Sequence, residues 1–460
     1  PMSNLFRLFV CLAVTAAAPC GAQQSLRPEG PVAIVGGMLL DGYLAGPVHH
    51  SVVVFEDGRI TAVGRQGEIE IPADAVVIDA GGRTVMPGLI DAHIHIDLIG
   101  HGSYARLYEF MDGMERIEEF MAIGAKQMLR GGVTTGLDLG APLQAFDFRE
   151  RVRRGEVPGP RLMLSGPWIT RIDYDIIPDE YEIIIRSPRE AAARTRELVQ
   201  RGVDVIKTWE GLTAEDYRAI VAVAHEAGIK VHAHLYDPAA IRHALDAGVD
   251  VFQHVGSGGN PPYEDDLVAE IAHRNIPVVQ TIAHRIWVFP ATVEFPERLY
   301  DPVYRKDMPP DISAEFIGSV RDFHRLAYFS DIARETRNSK VAARQFIDGG
   351  AVIGVGTDGG TPLNMHTEAM WREMSALVEN GMTPLEVISA ATKTNAEILD
   401  LDDDLGTIEP GKLADIIVVA GNPLRNIELL DYVDIVIKDG VVWYAEGAGN
   451  GPVAEIGRAF

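Results

Sequence analysis

Eight short apolar runs alternate with helical stretches through the middle of the chain, and that alternation leaves few folds open. The runs are VMPGLIDAHIH, GGVTTGLDLG, PRLMLSG, VDVIKTW, KVHAHLY, VDVFQHV, IPVVQTI and AVIGVGTD. Strands separated by helices lie parallel, because the helix carries the chain back to the same end of the sheet. Eight such units make the count of a (β/α)8 TIM barrel, an α/β fold. Between the strands, Pro188 to Arg201 and Thr213 to Ala227 read as amphipathic helices.

The flanks follow another period. From Val32 to Val85, apolar and polar residues alternate in short runs broken by Gly and Asp, as in SVVVFEDGRITAVG, and the pattern returns near the C-terminus in LADIIVVAGNPL and DIVIKDGVVWYAEG. Short antiparallel strands have this signature. Two half-sheets from opposite chain ends can complete one small β-sandwich domain. The expected division is 1–22 as a targeting segment, 23–85 with 400–460 as the composite β domain, and 86–399 as the barrel. A chain of 460 residues accommodates a barrel plus such a satellite.

Arg7, the apolar run Leu8 to Ala18 and the small residues up to Ala22 have the order of a secretory signal peptide, with cleavage expected after Ala22. The run is too short to span a bilayer. The expectation is a soluble periplasmic or secreted protein without a stable membrane anchor after cleavage. Lipid attachment at Cys20 is the competing reading, and Pro19 fits a lipoprotein signal poorly. Both cysteines, Cys11 and Cys20, fall in this segment, so metal ligation downstream rests on His, carboxylates or a modified side chain. A formal net charge of −25 argues against nucleic acid or an anionic membrane as partner. A homo-oligomer is compatible with the sequence.

Barrel chemistry is carried by the C-terminal strand ends, so what each run ends with matters. The first ends in His93 and His95, two apart and therefore on one face. The fourth ends at Lys207, the fifth at His232, His234 and Tyr236, the sixth at His254 and the eighth at Asp358. A lone histidine there is ordinarily a core or surface residue. Five strand ends of eight bearing ligand-competent groups point instead to a metal site.

At these motifs, together with KVHAHLYDPAAIRHALDAGVDVFQH, GVGTDGG and LGTIEPGKLADIIVVAGNPL, the chain resembles the amidohydrolase superfamily. It is most similar to imidazolonepropionase-related, prolidase-like metal-dependent carboxypeptidases and dipeptidases. The resemblance implies a hydrolase with two divalent ions, usually zinc. His93, His95 and Asp358 would hold the more buried ion, a fifth-strand histidine and His254 the second, and a carboxylated Lys207 would bridge them. Of the fifth-strand pair, His234 lies nearer the mouth and is favoured as ligand, with His232 one layer deeper as support. A metal-bridged hydroxide would attack the carbonyl of a peptide or N-acyl amino acid, with Asp358 moving the proton and Tyr236 donating to the oxyanion. Arg171, His284 and Arg285 are candidates, by position, to clamp a substrate carboxylate. Lactone or phosphotriester hydrolysis, imidazolonepropionase-like cleavage of a cyclic amide and a catalytically dead metal-binding protein are the alternatives. The long connection from about Ala283 to Gly350 reads as a lid or specificity loop, or as a cap against a neighbouring subunit.

Overall fold

A computed structural model describes residues 27–258 and 262–445. The proposed signal segment with Cys11 and Cys20, and the tail 446–460 of the expected β domain, lie outside the described residues.

All eight runs contain strands. The first three, Leu89–Ile94, Val133–Asp138 and Arg161–Leu164, form one parallel sheet. The third run resumes after Gly166 and Pro167 as Trp168–Thr170, which enters a second parallel sheet. There it is followed by Val205–Thr208, Lys230–His234, Val251–Gln253, Val278–Val279 and Ile353–Gly354. The strands are thus divided between two sheets, where the sequence predicts one continuous ring. One seam is the break at Gly166 and Pro167, where the Asp204 N–H donates to the Leu164 carbonyl at 2.9 Å. At the other, Ala92 N–H donates to Val355 O at 3.0 Å and His95 N–H to Gly359 O at 3.0 Å.

Buried side chains hold that second seam. Asp91 accepts the N–H groups of His93 (3.1 Å) and Thr357 (3.0 Å) and the Thr357 hydroxyl (2.7 Å). The first and last core strands are therefore fastened one residue before Asp358, which brings that carboxylate to His93 and His95. Ile90, Ala92, Leu137, Leu139, Val205, Val251 and Val279 share an apolar core with Ala396, Ile398, Leu399 and Leu405. On the same strand face, two residues beyond Val205 and Val251, stand Lys207 and Gln253.

The helices expected from sequence occupy Pro188–Gln200 and Ala214–Glu226. Ser187 caps the first, with Pro188 in its first turn; Thr213 and Asp216 form a capping box on the second. Flanking strands from both chain ends build a four-stranded sheet and a five-stranded one, the latter pairing Met38–Leu39 and Arg83–Pro87 with Ile416–Ala420, Val433–Lys438 and Val441–Ala445. Val32, Ile34, Phe55 and Ile78 of the first pack against Val85, Ile416, Val418 and Ile435 of the second in one apolar core.

Candidate metal centre and active-site cavity

Nine of the residues singled out in the sequence line one cavity of about 310 Å³: His93, His95, Lys207, His234, Tyr236, His254, His284, Arg285 and Asp358. Imidazole Nε2 of His95 lies 3.1 Å from Asp358 Oδ1, and that of His93 lies 3.6 Å from the same oxygen. One ligand atom from each of these three residues falls within 4.8 Å of the others. The ring of His254 stands 4.5 Å from that of His93 and 4.4 Å from that of His234, so the first, fifth and sixth strand ends meet.

Burial sets the protonation. It pushes His93, His234 and His254 well below the usual imidazole range, which leaves neutral rings with a lone pair to offer. Burial alone would raise Asp358, but its hydrogen bond with His95 and the neighbouring His93, His284 and His254 hold it well below the usual carboxylate range. Lys207 Nζ is buried with no hydrogen-bond partner, and burial lowers its pKa to about 7. An ammonium ion is poorly solvated there, whereas a neutral amine can take up carbon dioxide and become an anionic ligand. This orphaned amine among neutral imidazoles fits a metal-bound state of the cavity.

Second contacts orient the rings. The Gln253 side chain bridges two imidazoles, its Oε1 accepting from His93 Nδ1 at 2.8 Å and its Nε2 donating to His232 Nδ1 at 3.0 Å. His93 is thereby held as the Nδ1–H tautomer with the Nε2 lone pair facing Asp358. His232 is held in the opposite tautomer, with hydrogen on Nε2, and it stands behind the cavity wall. Thr281 Oγ1 accepts from His254 Nδ1 at 2.7 Å and orients that ring likewise. His254, Thr281 and Asp358 adopt φ of 68°, 52° and 54°. Left-handed backbone in three non-glycine residues stores strain of about 1–3 kcal/mol each, which surrounding structure must offset.

Arg171 is a correction. It does not line the cavity; its guanidinium grips the buried Asp216 through Nε (2.6 Å) and Nη2 (2.9 Å), because the chain after Thr170 turns towards the capped helix. His284 Nε2 accepts from Asn364 Nδ2 at 3.0 Å and sits 3.8 Å from Asp358 Oδ2. The stretch RIDYDIIPDEYEIIIR, unassigned from sequence, supplies an added strand, Glu182–Ile184, and sends Tyr174, Ile177 and Tyr181 to the cavity. Tyr174 stacks on Trp209 at 5.3 Å, and Trp209 meets Trp168 edge-on at 4.2 Å. From the long connection, Arg285, Phe289 and Tyr328 complete the wall.

The chain belongs to the amidohydrolase family, whose profile matches residues 84–442. It is a hydrolase acting on carbon–nitrogen bonds, in a family that generally binds metal ions and takes small-molecule or peptide substrates. Within the family it stands in the imidazolonepropionase and prolidase-like group. It is 25% identical to an imidazolonepropionase of Haloarcula marismortui, over 89% of this chain and 93% of that one. A 5-methylthioadenosine/S-adenosylhomocysteine deaminase of Symbiobacterium thermophilum is 24% identical over 84% of each chain. The solved structure of a Xaa-Pro dipeptidase with bound methionine in its active site superposes with a TM-score of 0.70 at 26% identity, covering 90% of this chain and 100% of that one.

Proposed function

We propose that this protein is an exported two-metal amidohydrolase that cleaves the amide bond of a short peptide or N-acyl amino acid. The observation that carries the reading is the buried, unpartnered Lys207 amine in a cavity shared with four neutral histidines and Asp358. His93, His95 and Asp358 would hold one ion, His234 and His254 the other, and carboxylated Lys207 would span both. The tautomer imposed on His232 by Gln253 supports His234 as the fifth-strand ligand, since His232 presents N–H in place of a lone pair. The two sheets would then be one (β/α)8 barrel opened at its seams, with the composite β domain beneath.

Divalent ions, zinc for preference, supply a water of lowered pKa and polarise the scissile carbonyl when bound. The residues do the rest. Asp358, anchored through Oδ1 at His95, accepts the proton of the attacking water and delivers it to the departing amine nitrogen. Tyr236, edge-on to His234 at 4.8 Å, donates a hydrogen bond to the carbonyl oxygen as negative charge develops there. Trp168, Tyr174 and Trp209 keep bulk water from the acyl side.

The test is a screen of zinc-loaded enzyme against Xaa-Pro, Xaa-Lys and Xaa-hydrophobic dipeptides and N-acyl amino acids, with lactones and phosphotriesters as the contrasting set. Turnover of amides, lost by orders of magnitude in Asp358→Asn, is expected. Turnover confined to the contrasting set would overturn the reading. Export through residues 1–22 is tested by fractionation of cells producing the whole chain, with accumulation in the periplasm or medium expected.

A further inference from the structure

The cavity also bears on what the substrate carries beyond its amide, an inference that rests on the amide-hydrolase reading. Among the described residues, Lys207 and Arg285 supply the lysine and arginine side chains of the cavity wall. Lys207 is committed to the histidine cluster, which leaves Arg285.

Its surroundings are those of a receptor site without its anion. The guanidinium carbon lies 5.4 Å from the Phe289 ring centre and 5.1 Å from that of Tyr328, and these two rings stack on each other at 5.1 Å. Nε and Nη1 are buried and donate to no acceptor. The nearest carboxylate, Glu335, stays 3.4 Å from Nη1, and its facing oxygen is itself without a hydrogen-bond partner. Buried donors left unmade are costly, and a guanidinium fork pinned by aromatic faces is pre-set for a planar two-oxygen anion. Tyr236, which borders the candidate ligand His234, also abuts Arg285. An anion on Arg285 therefore sits on the side of the reacting carbonyl opposite the Trp168, Tyr174 and Trp209 wall, which carries no cation of its own.

We infer that Arg285 receives the α-carboxylate of the amino acid released by hydrolysis, so the substrate is the amide of a free amino acid and not of a simple amine or a carboxamide-capped residue. The long connection after the seventh strand, through Arg285, Phe289 and Tyr328, is then the element that builds this specificity.

The experiment compares one N-acyl amino acid with its carboxamide in wild-type, Arg285→Lys and Arg285→Met enzymes, each first checked for its unfolding temperature. Arg285→Met should lower kcat/KM for the free acid about 100-fold, chiefly through KM, while leaving the carboxamide nearly untouched. Arg285→Lys, keeping charge without the fork, should lie between and serves if the Met variant does not fold. In parallel, binding of the free amino acid is followed by tryptophan fluorescence, which Trp168 and Trp209 in the cavity wall should report; it should be lost in the Met variant. Equal losses on acid and carboxamide, or unchanged amino-acid binding, would overturn the assignment. Were no amide turned over at all, the hydrolytic reading would fall, and the binding arm would still decide Arg285.

Discussion

Replacing Gln253 by Met removes a bridge and little else. Methionine nearly matches glutamine in volume and flexibility, so no large cavity opens. What disappears are two hydrogen bonds, at 2.8 Å and 3.0 Å, among groups at most 1% exposed. Each imidazole nitrogen left unpaired in such a place costs about 1–3 kcal/mol, so the variant should lose about 2–5 kcal/mol of stability. The sharper effect is chemical. With nothing holding hydrogen on His93 Nδ1, the lone pair on Nε2 is no longer assured, and metal affinity should fall about 10–100-fold, as when a partner of a ligating histidine is lost. Zinc affinity measured by chelator competition reads this, and 15N spectra of labelled histidine in the metal-free protein read the tautomer. Gln253→Glu accepts from both rings, keeps the His93 tautomer and should retain most of the affinity. Wild-type zinc affinity in the Met variant, with the His93 tautomer unchanged, would refute the reasoning.

Lys207→Ala should abolish tight loading of the second ion, read as metal content per chain after dialysis; two tightly held ions in that variant would rule out the bridge. Arg171→Ala should lower stability by about 1–3 kcal/mol, by stripping the buried Asp216 of two charged hydrogen bonds, and leave turnover unchanged. A fall in turnover would return Arg171 to the site. Burial raises the carboxyl of Glu373, which accepts the N–H groups of Ile282 and Ala283, to about 8. The folded state then binds this proton more tightly than the unfolded chain, so its contribution to stability is complete below the ordinary carboxyl pKa and lost as pH rises towards 8. Glu373→Gln should flatten unfolding-temperature profiles across that window, and an unchanged slope would contradict it.

What the sequence made legible was whatever period and strand position encode. His93, His95, Lys207, His234, His254 and Asp358 could be placed together because each ends an apolar run, and the ends of parallel strands share one rim. Gln253 was passed over since its role depends on cross-strand register: His234 pairs with Gln253 and Lys207 with His232, facts absent from any single run. Arg171 misled for a related reason. The third run continues past Gly166 and Pro167, and only that continuation shows that the following residue turns away from the rim. The aromatic wall escaped because Tyr174 and Tyr181 lie in an acidic, irregular stretch with neither helical nor strand period. The short seventh and eighth strands, two residues each, left the seams unforeseen, since their runs read as longer.

Anomalous diffraction from crystals grown with zinc addresses the central claim most directly. Two peaks are predicted, one among His93, His95 and Asp358 and one between His234 and His254, with added density on Lys207 Nζ reaching both. A single peak beside an unmodified Lys207, or none within reach of these side chains, would contradict the two-metal account.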